Sequence, residues 1–342
     1  MEKQVRFSDI EYDTRRKKTK KELFLEQMSK SVPLELICSV VKPYYYLKGN
    51  GREPINLETM VKMYLVSHWY NTSDEGTEDL IYESNSVKRY IGVIDSNVPD
   101  ATTLQKFRVE IIERNNLGNK IFAELTKVLT EKKILLKEGT IVDATIISAP
   151  DSTKNKEKKP NPNMSATKKG SKYYFGLKAH IGVDMESGLV HSAVATKSNL
   201  SDVEIASKVL HGEEKIVSGD AGYIGIDKRE EVCEIYQDGS GRKEKQKYSN
   251  GKKRADTLVK RADIEFRINR KRCQAVTEEE KDEEREKSRV RSKVEHVFCI
   301  LKHIFKYRLA RYRTIEKNEE KLLMLFALAN IYRCAQRNIS IR

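Results

Sequence analysis

The ten residues GTIVDATIIS, at positions 139–148, decide how the rest of the chain is interpreted. β-Branched residues dominate this segment, which is typical of a strand. Apolar side chains fall on both of its faces, so the strand is predicted to lie inside a sheet. Its carboxylate, Asp143, would then be buried and would need a compensating cation. Pairing with an arginine, or a role in capping a loop, would also satisfy this carboxylate. This segment alone does not distinguish these possibilities from a bound cation.

The residues after this strand predict the remainder of a mixed sheet. A long polar loop at 151–172 precedes two alternating segments, YYFGLKAHIGVD and GLVHSAVATKS, which the turn at 185–188 joins into a hairpin. A helix at 202–210 then leads to the short strand EKIVSGD, and IEFRI is a further strand. Two helices follow, at 279–305 and 317–338. This order is that of an α/β fold, a mixed sheet with helices, and it suits an RNase H-like core among several other folds.

The residues before the strand predict helices. Apolar residues spaced by three and four recur through residues 31–137, which favours an all-α domain. Asn56 and Asp100 precede two of the helical segments and are suitable N-caps. Residues 1–30 are predicted to be a basic flexible arm. A catalytic domain would occupy 138–342, with a basic insertion at about 227–286.

The net charge indicates a polyanionic partner. The chain has 65 Lys and Arg against 51 Asp and Glu, a formal charge of +14. Nucleic acid and an anionic membrane surface are the two candidates, and a basic protein without such a partner is the alternative. The apolar segment at 322–332 falls short of the roughly 20 residues that span a bilayer. The charged N-terminus has no export signal, so a cytoplasmic location is expected.

The five cysteines do not predict a zinc site. They are scattered along the chain, form no CxxC pair and have no histidine at ligand spacing. We therefore expect reduced thiols and no zinc-finger route to nucleic-acid binding.

Two further acidic residues occupy positions suited to a ligand site. Asp220 ends the strand EKIVSGD, and open α/β sheets bind ligands at the carboxyl ends of their strands. The alternative is that Asp220 only begins a turn, since Asp-x-Gly is a good turn sequence.

Glu295 lies on the helix RVRSKVEHVFCILKHIF. At about 100° per residue, Glu295, Arg291 and Lys302 line one edge of its apolar stripe. They form either a structural pair or a metal ligand beside two phosphate contacts. The predicted stripe consists of Val290, Val294, Val297, Leu301, Ile304 and Phe305.

Carboxylates alone suffice for one kind of phosphodiester chemistry. Two Mg²⁺ ions about 3.5–4 Å apart activate the attacking oxygen and stabilise the leaving oxygen. Mg²⁺ prefers oxygen ligands and keeps several waters, so this chemistry needs no histidine or cysteine ligand.

Several segments, in the right order, resemble the DDE transposases of bacterial insertion sequences, in particular the insertion-sequence-five-like group. They are VPDATTLQKFR, GTIVDATIISAPDSTKN, KKGSKYYFGLKAHIGVD, SGLVH, GDAGYIGIDKR and RVRSKVEHVF. The last contains the family pattern of Arg291, Glu295 and Lys302; where the family often has a tyrosine, this chain has Ser288. That difference puts a tyrosine contact to the donor strand in doubt.

The resemblance implies an RNase H-like fold, Mg²⁺ as cofactor, and terminal inverted repeats of double-stranded DNA as partner of a dimer or larger assembly. It makes Asp143, Asp220 and Glu295 the metal ligands. The helical domain would bind the end sequence. Other candidates for phosphate or DNA contacts are Arg291, Lys302, Lys178, His180, Tyr223, Arg229, Arg311 and Arg313.

Two other functions fit the same residues. One is a metal-dependent nuclease that cuts DNA without rejoining it. The other is a non-catalytic DNA-binding protein derived from a transposase, which the presence of all three acidic residues disfavours. Basic stretches at 154–172 and 241–261 are predicted to be loops that hold backbone phosphates, with solvated surface loops as the alternative.

Overall fold

The structure is a computed structural model. It describes residues 17–45, 53–93, 98–150, 159–232, 264–270 and 277–341. None of the helices in these ranges is both long enough and apolar enough to cross a membrane.

The first part of the described chain is helical, as its apolar spacing predicts. Asn56 and Asp100 cap their helices by accepting backbone N–H bonds, which confirms the two predicted N-caps. A π-helical segment, Phe107–Glu113, continues the sixth helix. The seven helices are α1 (Lys20–Ser31), α2 (Leu34–Val41), α3 (Leu57–Trp69), α4 (Asp74–Glu83), α5 (Asn85–Ile91), α6 (Ala101–Lys106) and α7 (Leu117–Glu131).

A mixed sheet follows, which confirms the predicted sheet class. Its strands are β1 (Gly139–Ser148), β2 (Ser165–Lys169), β3 (Lys172–Asp184), β4 (Val190–Lys197), β5 (Ile216–Gly219) and β6 (Glu265–Ile268). The order is β2-β3-β1-β5-β6, with β4 also paired to β3. β1 runs antiparallel to β3 and parallel to β5, and β5 runs parallel to β6. β1 is therefore central, as its apolar faces predict.

Three more α-helices lie in the described part of the chain. α8 (Asp202–Val209) lies between β4 and β5 in the chain. α9 (Glu278–Cys299) begins with a capping box of Thr277 and Glu280 and continues as a π-helix, Ile300–Ile304. α10 (Ile315–Gln336) is buried along most of its length.

One apolar core joins the helical part to the sheet. α10 packs against α7 and α1 on the helical side and against β4 on the sheet side. Buried residues of all these elements form a single cluster, in which Phe326 and Leu328 of α10 are fully buried. The helical segment and the sheet therefore share their core across α10.

Two of the predicted loop segments contain regular structure. The predicted arm at 1–30 includes α1, because Thr19 and Glu22 form a capping box and Leu25 and Met28 are buried. Residues 1–16 lie outside the described ranges. The predicted loop at 151–172 includes β2, because Ser165–Lys169 finds a pairing partner in the first residues of β3.

The apolar stripe of α9 also departs from prediction at one residue. Ile304 is 40% exposed, whereas Leu301 and Phe305 are fully buried. The π-helical turn at Ile300–Ile304 changes the number of residues per turn, so a constant 100° step fails there.

Candidate active site

Two aspartates lie side by side on neighbouring parallel strands. The register of β1 and β5 pairs Val142 with Gly219, and the next residues along the two strands are Asp143 and Asp220. Backbone amides orient both carboxylates: Ala144 N donates to Asp143 Oδ1 at 2.7 Å, and Gly222 N donates to Asp220 Oδ1 at 2.8 Å. Asp220 thus begins a turn and also faces Asp143.

The environment of Asp143 disfavours its charge. Burial raises the pKa of Asp143 to about 6; the Ala144 amide opposes this shift, and the carboxylate of Asp220 adds to it. Arg291 acts in the opposite direction without cancelling the effect. Two adjacent oxygen ligands that are short of positive charge suit a hard divalent cation such as Mg²⁺. The donor chemistry of this pair therefore fits the metal that the resemblance implies.

Glu295 is connected to this pair through Arg291. Arg291 Nη2 lies 3.3 Å from Glu295 Oε1, one turn along α9, and the same guanidinium lowers the pKa of Asp143. The Glu295 side chain is 65% exposed. Within the described ranges, no group of three or more His, Cys, Asp or Glu side chains is placed to hold a metal ion. The structure therefore brings Asp143 and Asp220 together and leaves Glu295 beside them, paired with arginine.

Lys302 belongs to a group of cations near the end of β1. Its Nζ donates to the carbonyl of Ile146 at 2.8 Å. Burial, followed by the charges of Lys169 and Arg308, lowers the pKa of Lys302 to about 8. An anion between these three cations would relieve their mutual repulsion, which is consistent with a phosphate contact.

Lys178 and His180, two predicted phosphate contacts, have partners within the protein. Lys178 Nζ donates to the Leu200 carbonyl at 2.7 Å and lies 2.9 Å from Asp202 Oδ1. His180 is 1% exposed and shares a 2.9 Å hydrogen bond with Thr196 Oγ1. Burial lowers the pKa of His180 to about 3, so its imidazole is neutral. The reason is that α8 packs over this face of the hairpin.

Tyr223 is likewise buried rather than presented to DNA. It is 1% exposed, and its ring packs against Gly219, where an added Cβ would lie 3.1 Å from it. Burial raises the pKa of Tyr223 well above its ordinary value, and Asp202, Asp143 and Asp220 raise it further. Its side chain is therefore packed in the interior beneath the two aspartates.

Asp202 is a neighbour of the site that the sequence analysis missed. It is the first residue of α8, and a Cβ at Gly222 would lie 2.9 Å from Asp220 Oδ1 and 3.8 Å from Asp202 Oδ2. Both carboxylates therefore face the same glycine. The sequence signal was the Ser-Asp pair at 201–202, which identifies a helix start but not its neighbours in space.

The remaining predicted DNA contacts have protein partners or lie at the surface. Arg229 Nε is 3.4 Å from Glu231 Oε2. Arg311 donates to Asn71, from Nε to Oδ1 at 3.2 Å and from Nη2 to the carbonyl. Arg313 is exposed. The basic stretch at 241–261 and residues 154–158 lie outside the described ranges.

Comparison with known families identifies the class. A family model described as Transposase DDE domain matches residues 135–331, and one described as Transposase domain (DUF772) matches residues 13–110. The chain belongs to the DDE transposase family. The two domains together are typical of bacterial insertion-sequence transposases, and the DDE domain implies an RNase H-like core for the mixed sheet.

The chain is also similar to a solved structure titled "Cryo-EM structure of piggyBac transposase synaptic complex with hairpin DNA". The two are 8% identical with a TM-score of 0.43, over 94% of this chain and 77% of that chain. At this distance the likeness carries no weight for function.

Proposed function

We propose that this transposase cuts DNA strands at the ends of its element and joins them to target DNA, with Mg²⁺ bound at Asp143, Asp220 and Glu295. The observation that carries the proposal is the pair of adjacent aspartates, one on β1 and one directly after β5, in which burial and the charge of Asp220 raise the pKa of Asp143 to about 6. Like charges held together at a half-buried site are costly unless they serve a cation.

The chain's own residues have separate tasks in this proposal. Asp143 and Asp220 would hold the cations, which would supply activation of the attacking oxygen and charge relief on the leaving oxygen. Glu295 would be the third ligand, in competition with its pairing to Arg291. Arg291 and Lys302 would hold phosphates near the reacting bond. Arg291 acts on the charge of Asp143, and Lys302 binds the carbonyl of Ile146, three residues further along β1.

DNA binding extends beyond the catalytic residues. The cations Lys169, Lys302 and Arg308 are close enough to interact, and a phosphate backbone would relieve their repulsion. We propose that the helical part at 31–137 recognises the terminal inverted repeats and that two or more copies of the chain bring the two ends together. The match of residues 13–110 to a transposase domain supports this assignment.

The test uses the full-length protein and DNA that carries the element's ends. Asp143→Asn and Glu295→Gln should abolish Mg²⁺-dependent nicking while leaving DNA affinity within about twofold, because each removes one charge from the site and none from the basic surface. Glu283→Gln, at an exposed position of the same helix as Glu295, is the matched control and should cut normally.

The same assay separates the competing functions. Integration of the cut ends into a plasmid supports a transposase, whereas cutting without joining indicates a nuclease. An absence of nicking with both Mg²⁺ and Mn²⁺ indicates a non-catalytic DNA-binding protein. If either acidic variant cuts at the native rate, the metal assignment is wrong.

A further inference from the structure

We propose that Asp202 is a third acidic residue of the cation site on the sheet, where its Oδ2 recognises the hydrated divalent cation held by Asp143 and Asp220. The inference rests on the proposed function and adds a residue to the site, from an element outside the acidic triad.

The first argument is the position of the two Asp202 oxygens. Oδ1 is held by Lys178 Nζ at 2.9 Å, with both side chains mostly out of solvent. Oδ2 faces Gly222, the same glycine that Asp220 Oδ1 faces. Oδ2 is therefore the oxygen on the side of Asp220, and it is left available because Lys178 contacts Oδ1.

The second argument is a group of buried polar atoms without hydrogen bonds. His180 Nδ1 and the Tyr223 hydroxyl are buried and have no hydrogen-bond partner among the described residues. His180 and Tyr223 are both 1% exposed, and His180 Nδ1 is 3.7 Å from Asp202 Oδ1. Buried polar atoms are normally satisfied by protein or water, so these atoms indicate a hydrated space beneath the aspartates.

The third argument is charge. Three carboxylates act on the one buried hydroxyl of Tyr223. Lys178 offsets the charge of Asp202, and Arg291 and Lys169 act against that of Asp143. His180 adds no charge, since its imidazole is neutral. Three carboxylates from three separate segments therefore converge at one point. A hydrated Mg²⁺ bound there would reach all three, because its waters contact carboxylates that do not touch the ion directly.

The experiment measures cation binding to the full-length protein without DNA, by Mn²⁺ electron paramagnetic resonance and by calorimetry with Mg²⁺. Asp202→Asn should weaken binding about tenfold, the effect typical of residues that support metal ligands. Glu204→Gln, at an exposed position two residues along α8, is the charge-matched control and should bind as the native protein does.

A second variant separates cation recognition from a merely structural ion pair. Lys178→Met removes the partner of Asp202 but keeps its carboxylate. If Asp202 serves only that ion pair, each variant loses cation binding only to the extent that it loses folded protein, and the two losses are alike. If Asp202 recognises the cation, Lys178→Met binds at least as tightly as the native protein, because a competing positive charge has gone.

Asp143→Asn distinguishes failure of this inference from failure of the proposed function. If Asp143→Asn loses cation binding and Asp202→Asn retains it, the role of Asp202 is overturned and the metal site stands. If Asp143→Asn also binds the cation as tightly as the native protein does, the metal site itself is overturned.

Discussion

Two regions of the molecule hold carboxylates partly or fully out of solvent. They differ in how far nearby cations offset the charge of these carboxylates. In the first, Arg108 lies 2.6 Å from both Asp74 and Glu113, and Tyr312 donates to Glu113 at 2.9 Å. In the second, Asp143 faces Asp220, with Asp202 nearby. Burial opposes the charge of Arg108, but Asp74 and Glu113 help to raise its pKa above its ordinary value. Burial and a neighbouring carboxylate raise the pKa of Asp143 to about 6.

The difference separates a structural ion network from a ligand site. The Arg108 network has its charges paired within the protein, and it links α4 to the π-helical segment Phe107–Glu113 and to Tyr312, which precedes α10. The aspartate pair, in the proposed function, is completed by an external cation. Removing a residue from the network should therefore cost stability, whereas removing one from the pair should cost activity.

The largest expected effect is on the chemistry of the aspartate pair. Asp143→Asn should slow strand cleavage by about 10⁴-fold, roughly 5.5 kcal/mol of barrier, because it removes a cation ligand. Its free energy of unfolding without metal should not fall, since the substitution also removes repulsion with Asp220. Single-turnover cleavage and urea unfolding in chelator measure the two quantities. If Asp143→Asn were both inactive and strongly destabilised, the predicted difference between the two regions would be contradicted.

The second effect is on the stability of the network. Arg108→Met should lower the free energy of unfolding by about 3–5 kcal/mol, because it leaves Asp74 and Glu113 without their main cation. Cleavage per folded molecule should stay near native. Arg285→Met is the control: Arg285 pairs with Asp282 at 2.7 Å with both side chains over 70% exposed, so its loss should cost less than about 1 kcal/mol. Equal losses in the two variants would contradict the assignment.

The third effect is a pH dependence. In the folded protein the pKa of Asp143 is about 6 instead of 3.8, so the folded state binds this proton more tightly than the unfolded state. In chelator, the free energy of unfolding should therefore rise by about 1–2 kcal/mol as the pH falls from about 6 toward 4, and be lost again as the pH rises. Asp143→Asn should lack this part of the profile. Identical profiles for both proteins would show that Asp143 titrates normally.

The smallest effect is at the cationic rim of the site. Neutralising Lys169 and Lys172, its partner in the β2–β3 register, to Gln should weaken DNA binding and reduce the slope of log affinity against log salt by up to about 1.8, if each contacts one phosphate. Lys215→Gln with Lys281→Gln, at exposed positions outside the helical part, gives the same change of charge elsewhere and should leave the slope unchanged. An unaltered slope in the first variant would place the DNA elsewhere.

Local patterns in the sequence predicted much of the fold. The β-branched segment at 139–148, the hairpin after it and the helix around Glu295 all formed, since strand alternation and helical spacing are properties of neighbouring residues. α1 could also have been found, because Thr19 and Glu22 spell a capping box. β2 could not, since its SATKK segment is a strand only through pairing with β3.

The candidate site was harder to predict because it depends on distant segments. The sequence identified Asp143 and Asp220 separately, and only the parallel pairing of β1 with β5 places them together. Lys178 and His180 share a face of β3, as their alternation indicates, but the helix that covers this face follows some twenty residues later. Asp202 was missed for the same reason. The π-helical turn that contains Lys302 has no reliable sequence signal.

The shared core across α10 also has a consequence for how the chain is made. α10 follows both the helical segment and the sheet in the sequence, and it covers apolar surface of each. During synthesis, neither part can finish burying that surface until residues 315–336 have left the ribosome. We expect the nascent chain to remain incompletely folded until then, and the two parts to reach their final form together rather than in order of synthesis.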